Sequence, residues 1–147
     1  MKVWRTNRKL YDSYFDKFSN SQLNRIPEGF NNNLVWHIGH IIVAQQSLVY
    51  KSSNISMHIP ESLYERYRSG TKPDGNCSDE EMKDLRSLLI GLVSLTEQDL
   101  AKGVFRSFNE RTTGTGFHLA SVQDALQFNN YHEGMHLGYM MSIRKFV

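Results

Sequence analysis

Two histidines near the end of the chain have the spacing that lets a helix hold one metal ion. His132 and His136 lie in the segment YHEGMHLGYMMSIRK and, with Glu133, spell H-E-x-x-H. Residues four apart on a helix are neighbours on one face, so both imidazoles can reach the same ion. The pattern also occurs in zinc peptidases, where its glutamate is the general base. Three alternatives follow: a peptidase, another metal protein, or a helix with two ordinary histidines that meet water.

The surroundings of this motif disfavour the peptidase alternative. Such an enzyme needs a third protein ligand, commonly downstream, and a substrate-binding strand. After His136 only LGYMMSIRKFV remains, and this segment contains no His, Asp or Glu. Glu133 follows His132 directly and therefore points about a quarter-turn away from it on a helix. We expect Glu133 to be a surface carboxylate or a group that orients a ligand.

A second pair of histidines lies in an apolar segment, NNNLVWHIGHIIVAQQ, as His37 and His40. The inward stripe of the last helix is predicted to contain both of its histidines, together with Ala125, Asn129, Met140 and Ile143. Helical bundles build metal sites in the core from side chains on facing helices. One imidazole from the earlier helix and two from the last would form a three-histidine site with open coordination positions. That arrangement is typical of catalytic and not of structural sites.

The elements that must position these histidines are predicted to be helices. Periodic apolar residues indicate long helices over about 6–23, 32–51, 78–103 and from 121 almost to the end. A short helix is predicted after Pro60, and Ser78 with Glu81 predicts a capping box. The segment FRSFNERTTGTGFHLA is predicted to be an irregular loop or a short β-like excursion. We therefore expect an all-α fold, a four-helix bundle with long inter-helix connections, as one domain over residues 1–147.

Composition excludes several classes of function. The net charge is only +2, and no basic run stands out, so a nucleic-acid partner is not expected. The single cysteine, Cys77, excludes an internal disulfide and fits a reducing compartment. We see no signal peptide and no apolar run long enough for a membrane span, so we expect a cytoplasmic protein. We predict that Cys77 is non-catalytic and that His58 and His118 are solvated. No cluster of Arg and Lys is evident that would hold an anionic cosubstrate.

The two histidine segments, WHIGHIIVAQQ and YHEGMHLGYMMSIRK, together resemble the DinB/YfiT-like superfamily of metal-dependent helical bundles. The resemblance covers essentially the whole chain and implies that His40, His132 and His136 are the metal ligands. His37 would then be a group that orients a ligand, an alternate ligand, or a core residue bonded to backbone. The family's frequent H-x-G-Q reads H-L-G-Y here, so Tyr139 replaces the glutamine. Its hydroxyl either borders the same pocket or lies at the surface of a packed aromatic ring.

The resemblance also implies a class of chemistry. The expected cofactor is a divalent metal ion, zinc or nickel, since imidazole ligands suit both. Such a site is able to activate water or to hold a thiol as thiolate. The expected function is that of a metal-dependent enzyme, either a thiol S-transferase that uses a low-molecular-weight thiol or a hydrolase of a small molecule. The alternative is a non-catalytic bundle that binds a metal or a small molecule. A homodimer is also expected from the family.

Overall fold

The chain forms six α-helices and one small β-hairpin, and the computed structural model describes all residues from Met1 to Val147. In chain order the helices are α1 (Lys2–Lys17), α2 (Asn20–Asn24), α3 (Leu34–Val49), α4 (Glu61–Tyr67), α5 (Asp79–Ala101) and α6 (Val122–Ile143). A single 3₁₀ turn, Lys51–Ser53, follows α3. The strands β1 (Arg111–Thr112) and β2 (His118–Leu119) lie between α5 and α6. The predicted all-α four-helix bundle is therefore confirmed.

Polar side chains cap the starts of four helices. Asn33 accepts a hydrogen bond from the amide of Trp36 at the start of α3, and Ser121 accepts one from Asp124 at the start of α6. Ser78 caps α5 in the same way through the amide of Glu81. These bonds satisfy amides that have no partner inside the helix, so they fix where each helix begins.

The first predicted helix proved to be two helices. Helix α1 begins at Lys2 and ends at Lys17, and Phe18 has an extended backbone. Ser19 then caps α2 in a full capping box with Gln22. The capping box expected at Ser78 is only half formed, because the Glu81 carboxylate accepts a hydrogen bond from the Tyr67 hydroxyl at 2.7 Å instead.

Four long helices, α1, α3, α5 and α6, enclose the core. Helix α3 packs against both α5 and α6, and α1 packs on the other side of the same two helices. Nearly all of α3 is buried, as expected for a helix that is apolar over most of its surface. The core contains these fully buried aliphatic and aromatic side chains: Tyr11, Leu34, Ile38, Ile41, Ile42, Leu85, Leu89, Met140 and Ile143.

The hairpin covers one end of the groove between α3 and α6. Its two strands pair antiparallel, with Arg111 opposite Leu119. Gly116 takes a left-handed backbone conformation in the turn, with φ of 88°. Leu119 is buried against Leu48 of α3 and Phe128 of α6, which anchors the hairpin on the bundle. No helix combines the length and the hydropathy that a membrane span requires.

Candidate metal centre

The structure brings the three histidines implied by the sequence into one cluster. One ring nitrogen from each of His40, His132 and His136 lies within 4.8 Å of the others. The Nε2 atoms of His40 and His132 are 3.4 Å apart. The ring of His136 lies 4.7 Å from that of His40 and 4.5 Å from that of His132, measured between centroids. The three imidazoles meet because α3 packs against α6, as the sequence predicted.

The proton on His40 is assigned by a hydrogen bond. Its Nδ1 lies 2.8 Å from the backbone carbonyl oxygen of Tyr67. A carbonyl only accepts, so Nδ1 carries the proton and Nε2 presents its lone pair to the cluster. Trp36 stacks on the same ring, with centroids 4.8 Å apart and planes 9° from parallel. A hydrogen bond on the far nitrogen is what fixes the orientation of a histidine ligand in metal proteins.

His37 contacts the cluster from behind and is not one of the three. Its Nδ1 lies 2.8 Å from Nδ1 of His136. The other ring nitrogen of His136, Nε2, is not part of this contact. Of the roles considered for His37, the contact is consistent with a group that orients a ligand. Its own Nε2 is buried without a partner. The remaining nitrogen of His132, Nδ1, is likewise buried without a partner.

All four histidines are neutral at physiological pH. Burial first, and then the neighbouring His40, lower the pKa of His37 and of His132 to about 4. Burial and then the three surrounding histidines lower the pKa of His136 to about 2. Burial also lowers the pKa of His40, partly opposed by its bond to Tyr67. Neutral imidazoles have a free lone pair, so the cluster is ready to accept a cation without first losing protons.

Glu133 does not face this cluster, and the expectation of a surface carboxylate was wrong. Its side chain is completely buried and forms an ion pair with the equally buried Arg8 of α1, at 2.7 Å. The same carboxylate oxygen, Oε1, accepts hydrogen bonds from Trp4 at 2.8 Å and from Asn129 at 2.9 Å. Because Glu133 has no access to a substrate, it cannot act as the general base that H-E-x-x-H peptidases require.

An open cavity of about 350 Å³ adjoins the cluster on the side of His40 and His132. Helix α3, the end of α4, the hairpin and α6 all contribute to its walls. A second, shallower opening of about 240 Å³ adjoins His37 and His136, and Tyr139 lines it. The ring of Tyr139 lies 5.2 Å from that of His37, so the residue borders the centre from this side.

Two arginines reach the large cavity, although no basic cluster was evident in the sequence. Arg68 follows the last turn of α4, and Arg111 belongs to β1. They are 43 positions apart in the chain and lie in segments without helical periodicity, so no sequence signal joined them. The sequence therefore did not reveal that two basic side chains line the cavity beside the histidines.

The remaining candidates lie away from the centre. Cys77 is buried, and burial raises the pKa of its thiol to about 12, which agrees with a non-catalytic role. His58 is exposed, as expected, and its Nε2 lies 3.3 Å from a carboxylate oxygen of Asp99. His118 is exposed and lies 3.3 Å from Glu110.

Comparison with known proteins identifies the family to which the chain belongs. No curated protein matches the chain. The family model of the DinB superfamily matches residues 4–140, a range that includes all four histidines of the centre and all of the bundle except the first two residues of α1 and the last three of α6. With its four long helices and its facing histidines, the chain belongs to the DinB superfamily.

Proposed function

We propose that this protein is a metal-dependent enzyme in which His40, His132 and His136 bind one divalent ion beside a small-molecule pocket. The observation that carries the proposal is the convergence of three neutral imidazole nitrogens within 4.8 Å of one another. Three protein ligands leave at least one coordination position for water or a substrate, as in catalytic sites. We also infer that residues 1–147 form a single domain.

The spacing of the cluster supports a metal of ordinary size. Zinc–imidazole bonds of about 2.0–2.1 Å at tetrahedral angles separate two ligand nitrogens by roughly 3.3–3.4 Å. The Nε2 atoms of His40 and His132 are 3.4 Å apart. His132 Nδ1 and His37 Nε2, which do not face the ion in this proposal, are buried without a hydrogen-bond partner, and such unsatisfied groups support a functional role for the cluster over simple packing. Zinc and nickel are the expected ions, because imidazole suits both.

The residues of the chain have separate roles in this proposal. His40 is held in one tautomer by the Tyr67 carbonyl, and His37 orients His136 through the contact between their Nδ1 atoms. A bound divalent ion supplies Lewis acidity, which makes water or a thiol a better nucleophile at neutral pH. The cavity of about 350 Å³ holds the substrate against this centre. Hydrolysis of a small molecule and transfer of a low-molecular-weight thiol are the two reactions that we propose.

Metal content is the first experiment, done on protein purified without a histidine tag. Elemental analysis is expected to give about one divalent ion per chain. The double variant His132→Ala/His136→Ala should lose that ion, whereas His118→Ala, a change at an exposed histidine, should keep it. Absence of metal even after refilling with zinc and nickel would contradict the proposal. Thiol-transfer and ester-hydrolysis assays on the loaded protein then separate the two reactions.

A non-catalytic role is the second outcome of the same series. A metal-loaded protein that turns over neither a thiol substrate nor an ester would be a metal- or small-molecule-binding bundle. We also propose a cytoplasmic location and, from the family resemblance, a homodimer, which sedimentation of the purified protein tests.

A further inference from the structure

The large cavity beside the histidines has an unusual balance of charge. Fifteen residues line it, and none of them is acidic. Two are arginines, Arg68 and Arg111, which come from different elements and reach the same space. A cavity whose walls contain two cations and no carboxylates has a positive local potential and therefore favours an anion.

The two arginines differ in how far they are already neutralised. The Arg68 guanidinium pairs with Glu65, with its Nε 2.7 Å from a carboxylate oxygen. Arg111 makes no ion pair, and its neighbour Glu110 pairs with His118 instead. The cavity therefore has one uncompensated positive charge, at Arg111. That charge matches a monoanion such as a carboxylate better than a dianion.

The rest of the lining describes the body of the ligand. Apolar side chains of α3 (Val43, Ala44 and Leu48) and of α6 (Phe128 and Met135) line the cavity. Thr113 and Thr115 of the hairpin also line the cavity, as does Arg111 of β1. Pockets of this size bind small molecules through apolar walls and a few polar groups that set orientation.

We propose that this cavity binds a small organic acid, with its carboxylate at Arg111 and Arg68 and its apolar body between α3 and α6. The far end of such a molecule lies beside His40 and His132. This last statement rests on the proposed function, since those histidines are two of the three candidate metal ligands. The anion subsite itself is independent of the metal, because neither arginine belongs to the histidine cluster.

The test uses 3-phenylpropanoate and its neutral amide as probes, with binding measured by calorimetry on metal-free and metal-loaded protein. The acid should bind the metal-free protein, and the amide should bind at least about tenfold more weakly. Arg111→Gln should weaken binding of the acid at least about tenfold. The matched control is Arg106→Gln, an exposed arginine outside the cavity in the segment before β1, and it should leave binding unchanged.

A second variant should act in the opposite direction. Glu65→Gln removes the carboxylate that competes for Arg68, so it should strengthen binding of the acid severalfold. A structural defect would not tighten binding, so this result separates electrostatics from misfolding.

Several outcomes would overturn the inference. Equal affinity for acid and amide would do so, as would an Arg111→Gln variant that binds the acid as tightly as the parent. Binding that requires metal and ignores Arg111 would mean that the carboxylate coordinates the ion. If 2-phenylethyl phosphate bound more tightly than the acid, the preferred ligand would be a phosphate ester and not a carboxylate. Failure of metal binding alone would contradict the proposed function and leave the anion subsite standing.

Discussion

The buried ion pair between Arg8 and Glu133 allows a sharp test of what holds the histidine-bearing helix in place. Both side chains are fully buried, and the pair joins α1 to α6 in the interval between His132 and His136. The Arg8 guanidinium also donates to the backbone carbonyls of Ile41 and Leu89, at 3.2 and 3.4 Å. One side chain therefore connects all four long helices. We consider Arg8→Met, Glu133→Gln and the double variant.

The expected magnitude follows from leaving one charge buried without its partner. Arg8→Met keeps an apolar chain of similar length, and the carboxylate retains only its bonds to Trp4 and Asn129. Glu133→Gln leaves the guanidinium without an anion. Each single change should lower the free energy of unfolding by about 3–5 kcal/mol. The double variant removes both charges, so its loss should fall short of the sum, with a coupling energy of about 2–3 kcal/mol.

Urea unfolding followed by circular dichroism measures these differences, with chelator present so that metal binding does not contribute. The matched control is Arg86→Met, which breaks the ion pairs of Arg86 on α5 with Asp12 and Asp16 of α1 at a partly exposed position. The loss in the free energy of unfolding should be a small fraction of that in Arg8→Met or Glu133→Gln, because solvent screens exposed ion pairs. Losses below about 1 kcal/mol for either single variant, or strictly additive losses, would refute the reasoning.

Three further predictions concern single positions. Gly39→Ala should destabilise the protein and weaken metal binding, because the added Cβ would overlap the ring of Tyr67. In Gly91→Ala on α5 the added Cβ meets no atom within 4 Å, so this control variant should raise the free energy of unfolding in urea titrations by up to about 1 kcal/mol. The thiol of Cys77, with its pKa raised to about 12, has a thiolate fraction of roughly 10⁻⁴ at pH 8. Its alkylation by iodoacetamide, followed by mass spectrometry, should therefore be slow in the native protein, rise about tenfold per pH unit between pH 7 and 9, and become fast on unfolding. His37→Gln should lower metal affinity by about 10–100-fold in competition with a chromophoric chelator and leave the stoichiometry unchanged.

The sequence predicted the bundle and the meeting of the histidines because both follow from helical periodicity. The long helices begin close to where the apolar spacing and the capping residues placed them. The break after α1 was missed, although Ser19 and Gln22 have the S-x-x-Q spacing of the capping box that the structure contains. That signal is short and lies inside the apolar pattern that predicted a single helix over about 6–23.

The partners of Glu133 and the cavity arginines could not have been predicted in the same way. Arg8 is 125 positions from Glu133, and its position depends on how α1 rotates against α6. Arg68 and Arg111 stand at the end of a helix and in a hairpin, where no periodic rule fixes the direction of a side chain. Periodicity identifies which face of a helix is buried, but not which residue of a distant element meets it.

The geometry of α6 explains why the H-E-x-x-H motif does not indicate a peptidase in this protein. Successive helical residues are separated by about 100°, so one helix presents its two histidines and the intervening glutamate to different neighbours. In this bundle the histidines face α3 and the cavity, while Glu133 faces α1, where Arg8 and Trp4 occupy its Oε1. A peptidase needs that carboxylate on the cavity side, free to take a proton. The same five letters thus supply two candidate metal ligands and one buried anion that fastens their helix to α1.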